Sequence, residues 1–187
     1  MRTRAGIAAL AICMAVPVAA QDMSAFKTGP VIEDFGPHAP VPGVERLPAD
    51  AEFAVAFDVN EPAGEGGANR GFMAAARFLN MHVANGVPEE NIRLVVVVHG
   101  KASLELLSDA AHGANPAARQ TSQRADNPSR ALVEALLAED VRFVLCGQSA
   151  VAYGIAPEDL IPGVEMSLSA MTAHAVLQQR GYTVNPF

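Results

Sequence analysis

The chain of 187 residues has no tryptophan, two tyrosines and two cysteines, Cys13 and Cys146. So few thiols exclude the multiple disulfides that staple small secreted domains. No Cys-x-x-Cys, His-x-His or His-Glu-x-x-His spacing is present, which leaves no zinc-binding motif and no metal or cofactor to expect. Basic residues are also scarce, with 13 Lys and Arg against 20 Asp and Glu. That balance argues against nucleic acid or an anionic membrane as partner, because both are held by Lys and Arg neutralising phosphate. After the first 20 residues no apolar run approaches the roughly 20 residues of a membrane span. The acids are dispersed along the chain, where their ordinary role is solubility.

The one long apolar stretch lies at the start. Arg2 and Arg4 precede the run from Ala5 to Val16, and Val18-Ala19-Ala20 supplies small residues, the pattern of a secretory signal cleaved after Ala20. A lipoprotein signal at Cys13 fits less well, since Ile12 is large where a small residue belongs. Removing residues 1–20 takes two bases and no acid, leaving 11 basic and 20 acidic residues and a formal charge of −9. The expected product is an exported protein, periplasmic in a Gram-negative cell, with no membrane insertion once the signal is gone. Cys146 is then its only thiol and has no partner within the chain.

Residues 21–51 read as an N-terminal arm. Pro30, Pro37, Pro40, Pro42 and Pro48 alternate with Gly29, Gly36 and Gly43, a density that excludes regular helix. The arm is expected either to lie on another subunit or to form a flexible leader. From residue 52 to 187 the pattern is that of one domain. Strands are predicted at 53–59, at 92–98 with its four consecutive valines, at 141–146, at 164–167 and at 182–184. Helices are predicted at 71–83, 102–107, 129–137 and 169–180, and residues 111–128 read as a long polar loop. Alternating strands and helices imply a three-layer α/β/α domain around a mostly parallel sheet of about five strands.

A parallel sheet gathers the carboxyl ends of its strands on one edge, where ligands and chemistry collect. Asp58, Asn60, His99, Gly100, Cys146, Gly147, Gln148 and Ser149 all fall at such ends. Cys146 and His99 are the candidate catalytic pair: an imidazole near a thiol can draw off its proton, and the amides after Gly147 would stabilise a thiolate. The others are candidate ligand-binding positions. Two plainer readings stand beside these, with Cys146 as a small core residue and His99 as a structural histidine satisfying backbone groups. His38, His82, His112 and His174 sit on a loop or on helices without ligand spacing. Gly64 to Asn69 resembles a dinucleotide fingerprint only in part, because Asn69 replaces its third glycine. Gly147-Gln148-Ser149 lacks the second glycine of a hydrolase elbow, so Ser149 reads as a helix cap.

Several segments taken in order, Val97-Val98-His99-Gly100, Val144-Leu145-Cys146-Gly147-Gln148-Ser149, Asp159-Leu160-Ile161-Pro162-Gly163-Val164 and Leu177-Gln178-Gln179-Arg180-Gly181-Tyr182, resemble the DsrE/DsrF-like family over residues 52–187. The likeness is strongest to exported single-domain members. It implies a parallel α/β fold of the YchN-like type and a homo-oligomer, trimer or hexamer. In better-understood members a cysteine accepts sulfane sulfur as a persulfide and passes it on. By position that cysteine would be Cys146, with His99 nearby.

Three functions follow from these readings. The first is a sulfur carrier or thiol-transfer protein acting through Cys146 with a periplasmic donor and acceptor. The second is a non-catalytic module binding a small ligand or protein on the same sheet edge, with the 111–128 segment contributing. The third is a thiol redox enzyme such as a peroxidase, disfavoured because a sulfenate on Cys146 would lack an internal resolving thiol.

Overall fold

A computed structural model describes residues 22–64 and 67–186. The expected signal segment, Cys13, Glu65 and Gly66 lie outside the described residues. Five strands form one sheet, β1 (Phe53–Val59), β2 (Ile92–Val98), β3 (Arg142–Cys146), β4 (Glu165–Ser167) and β5 (Thr183–Asn185), in the order β4-β3-β2-β1-β5. Every strand pairing is parallel. The valine run explains the centre of the sheet: Val95 to Val98 are each 0 % exposed, so β2 is covered on both faces. β1 aligns Phe53 with Ile92 and Val59 with Val98, and β3 aligns Leu145 with Val98.

Chain direction decides which helices cover which face. From β1 to β4 the chain steps one way across the sheet, so right-handed crossovers stack α1 (Arg70–Ala84), α4 (Arg130–Ala138) and α5 (Gly147–Tyr153) on one side. The large core lies there, with Phe57, Phe72, Leu79, Leu132, Leu136 and Phe143 among its buried side chains. Phe72 of α1 meets Phe143 of β3 edge to face at 5.2 Å between centroids, an aromatic contact of about 1 kcal/mol beyond the area it buries. The step from β4 back to β5 reverses direction and puts α6 (Ala170–Gln179) on the other face. Ala170, Ala173 and Leu177 of α6 pack there on Ala56, Val95, Val97, Val144 and Cys146. Among the described residues no helix is long and apolar enough to cross a membrane.

The segment 111–128 departs from the loop expected for it. It contains most of α2 (Asp109–Ala114) and all of α3 (Pro116–Ser122). Asn115-Pro116 reads as a turn in isolation, but here Asn115 accepts hydrogen bonds from the Ala117 and Ala118 amides while Pro116 takes the first helical position, where its missing N–H costs nothing. The helix expected near 102–107 is a 3-10 helix over Gly100–Leu106. Strand ends shift by a residue: β4 starts at Glu165, and β5 runs over Thr183–Asn185.

The proline-rich arm is ordered against its own chain. Asn80 of α1 is fully buried; its side-chain oxygen accepts from the amides of Val31 (3.1 Å) and Ile32 (2.8 Å), and its nitrogen donates to the carbonyls of Ile32 (3.0 Å) and Phe35 (2.9 Å). Arg77 donates to the Pro37 carbonyl at 2.8 Å, and Asn85 accepts from the Leu47 amide at 2.7 Å. Beyond the bridge between Lys27 and His38, backbone groups of this prolyl segment are thus met by side chains of α1 and of its C-cap Asn85.

Candidate functional site

Cys146 ends β3 and forms the N-cap of α5, with 6 % of its surface exposed. Burial pushes its thiol up, but hydrogen bonds from the amides of Ser149, Ala170 and Gln148 and from the Ser149 hydroxyl outweigh that and hold it below its ordinary value. Those donors come from the first turns of α5 and α6. Two helix starts therefore meet at one sulfur, and their N–H groups favour a negative charge on it.

Local sequence explains how the helices come so close. A Cβ on Gly147 would lie 2.7 Å from the Ser167 carbonyl oxygen, so only glycine lets α5 begin this near β4. Gln148 fixes the same junction by donating from its side chain to the Leu168 carbonyl at 3.2 Å. Ser149 is the third residue of α5 and not its cap, because Cys146 already occupies that place. Its hydroxyl instead accepts from the Gly100 amide at 3.0 Å. Gly100, at φ +56°, turns the chain after β2 past the Asn60 carbonyl, which accepts from the Ala102 amide at 3.2 Å. Val151, Leu168 and Met171, all exposed, flank the junction and give its outer surface an apolar character.

His99 follows β2 one residue beyond the Val98 to Leu145 pair, which sets it level with Cys146 on the neighbouring strand. Its ring makes no hydrogen bond to the sulfur. Nε2 faces Asp58 of β1 at 3.2 Å from Oδ1 and 3.4 Å from Oδ2. A second imidazole meets the same carboxylate, with Nε2 of His174 on α6 at 2.7 Å from Oδ1. The His174 side chain is 16 % exposed, and its Nδ1 is buried without a partner. Asp58, His99, His174 and Cys146 thus share one sheet edge and the face under α6. His174 is the residue that sequence reading missed. Ala170, Ala173, His174 and Leu177 have the i, i+3, i+4, i+7 spacing of a packed helix face, a signal that places His174 against the sheet.

Asn60 and Asp58 also border a cavity of about 710 Å³ that reaches Glu61, Arg70, Arg77 and Pro186. No residue of 111–128 lines it. The loop beside it is tied down by Glu105, which is 4 % exposed and accepts from the amide of Ala63 (2.5 Å), the side-chain amide of Asn69 (2.6 Å) and the hydroxyl of Ser129 (3.1 Å). Asn69 in turn caps α1 by accepting from the Gly71 amide at 2.8 Å. Among the described residues no group of three or more His, Cys, Asp or Glu is arranged to hold a metal ion.

The sequence pattern of the DsrE/DsrF-like family matches residues 54–186, which contain all of the sheet but Phe53 and every residue of this edge. The chain belongs to the DsrE/DsrF-like family. Solved structures similar to this DsrE-like chain include the protein of unknown function MTH1491 from Methanobacterium thermoautotrophicum, at 20% identity and a TM-score of 0.47, covering 73% of this chain and 100% of that one. The ychN protein from E. coli is similar at 20% identity and a TM-score of 0.43, covering 72% of this chain and 100% of its own. No curated protein matches the chain. Within the DsrE-like domain, the edge combines a thiol held below its ordinary value with a carboxylate that faces two imidazoles. Such a set can do nucleophilic sulfur chemistry and move the accompanying proton.

Proposed function

We propose that this DsrE-like protein is a sulfur carrier in which Cys146 accepts sulfane sulfur as a persulfide and hands it to a partner. The observation that carries the reading is the place of Cys146 at the start of α5, packed under α6 and on one sheet edge with His99 and Asp58, where the Ser149, Ala170 and Gln148 amides hold its thiol below the ordinary value. A persulfide places negative charge one atom beyond the thiolate, where the same helix starts favour it. His99 stands one strand away as the group that manages the proton. With no second thiol in the exported chain, transfer goes to another molecule and not to an internal disulfide. Export through residues 1–20, a trimeric or hexameric assembly and periplasmic donor and acceptor proteins complete the proposal. The exposed Val151, Leu168 and Met171 offer an approaching partner an apolar surface.

A second reading is favoured by the cavity at Asp58 and Asn60, whose volume suits a small ligand. Under it the domain is a binding module and Cys146 a packing residue. The experiment that separates the two is intact-mass analysis of the protein after incubation with polysulfide, with Cys146→Ser beside it. The carrier reading expects an added sulfur on the native protein, lost on treatment with dithiothreitol and absent from the variant. A native thiol that takes up no sulfur and resists alkylation in the folded state rejects it.

A further inference from the structure

We infer that Asp58 and His174 are positioning residues that set His99 as a proton acceptor through its Nδ1, so that Cys146, His99, Asp58 and His174 act as one relay. The inference rests on the carrier reading for its chemistry but not for its geometry. A carboxylate only accepts hydrogen bonds, so an imidazole nitrogen facing it carries the proton. Nε2 of His99 faces both oxygens of Asp58, at 3.2 and 3.4 Å, and is therefore its N–H. In the neutral ring the proton-free nitrogen is then Nδ1, the atom left to take part in chemistry.

His174 explains why Asp58 holds still. Its Nε2 donates to Asp58 Oδ1 at 2.7 Å, while its buried Nδ1 has no partner, so among the described residues the carboxylate is the only polar anchor of that ring. The ring lies one helical turn past Ala170, whose amide faces the Cys146 sulfur. One short helix thus carries both a donor to the thiolate and the clamp on the carboxylate. This is the logic of a nucleophile, a base and a group that orients the base, with a second histidine fixing the orienting group.

The step to be served balances without an oxidant. The Cys146 thiolate attacks the outer sulfur of a donor persulfide R–S–S–H, a Cys146–sulfur bond forms, and the donor S–S bond breaks with its electron pair leaving on R–S⁻. The transferred sulfur arrives bearing the proton. His99 Nδ1 takes it, leaving the Cys146 persulfide anion, and returns it to R–S⁻, which departs as R–SH.

The test begins with long-range ¹H–¹⁵N spectra of the purified protein at a pH where imidazoles are neutral. The relay requires His99 and His174 both with the proton on Nε2; a His99 with its proton on Nδ1 overturns it. Next, sulfur transfer from glutathione persulfide to Cys146 is timed by rapid-quench mass analysis over a range of pH. Asp58→Asn and His99→Gln should each slow it on the order of tenfold or more, and the double variant no further. His174→Ala should slow transfer and change its pH profile as Asp58→Asn does, and His174→Gln, which keeps a donor toward Asp58, should recover part of that loss. If His174→Ala lowers only the melting temperature, or Asp58→Asn reacts like the native protein, His174 merely pins α6 and the relay is rejected. The tautomer measurement needs no sulfur chemistry, so a failed relay and a failed carrier give different results.

Discussion

The Gly100 amide donates to the Ser149 hydroxyl at 3.0 Å, tying the turn after β2 to the helix that starts at the thiol. That hydroxyl also helps to hold the Cys146 thiol below its ordinary value. Ser149→Ala removes the donor and leaves the Gly100 amide unsatisfied. The thiol of the variant should move upward, because a hydrogen bond to the charged form favours that form. Its alkylation rate against pH, followed with iodoacetamide, should shift to higher pH, with the neutral-pH rate about three- to tenfold lower. An unchanged profile would mean that the serine does not touch the thiolate.

Gly147→Ala tests the same thiol from the backbone side. The new Cβ would stand 2.7 Å from the Ser167 carbonyl, and no flexible side-chain end is there to yield. Either α5 or the β4 to α6 connection must move, and the Ala170 amide moves with the latter. The variant should lose about 1–3 kcal/mol by chemical denaturation and raise the thiol together. Loss of stability with an unmoved alkylation profile would show that the two helix starts do not depend on this close approach.

How much of this was legible beforehand follows from what each residue's partner is. Val95 to Val98 announced a doubly buried strand, because a run of apolar residues of strand length has one comfortable place in an α/β domain. Parallel order alone places Asp58, His99 and Cys146 on one edge. His174 escaped because its meaning lies in Asp58, 116 residues away, and a lone histidine on a helix carries no ligand spacing. Ser149 was misread for a similar reason: a serine near a helix start suggests a cap, whereas its partner is an amide 49 residues earlier. Asn115-Pro116 suggests a turn and a helix start equally well, and only packing of α2 and α3 beside the 3-10 helix decides between them. The arm read as irregular, correctly, but nothing local pointed to Asn80 as the group that holds it.

Asn80 gives a prediction about that arm. Its side chain meets backbone groups of Val31, Ile32 and Phe35 in a place water does not reach. Asn80→Ala leaves several buried amides and carbonyls unmet and should cost about 2–4 kcal/mol. Limited trypsin digestion should then cleave after Lys27 or Arg46 well before the domain itself is cut. An arm as resistant as in the native protein would mean that packing of Ile32 and Phe35 suffices to hold it.

Glu105 makes the stability of the loop beside the cavity depend on pH. Burial pushes its carboxyl above the ordinary value of 4.5, against the opposing hydrogen bonds from Ala63, Asn69 and Ser129. In the range between 4.5 and the raised value the folded protein holds a proton that the unfolded chain has released. This group's contribution to stability is therefore fully present below 4.5 and declines as pH rises through the folded value. Glu105→Gln does not titrate and turns a donor N–H toward one of the three donors, so it should cost about 1–3 kcal/mol. That cost should be largest in acid and shrink toward neutral pH in denaturant titrations at pH 4, 5.5 and 7. A cost that grows with pH would show that the three donors outweigh burial, and that the carboxylate is ionised where it sits.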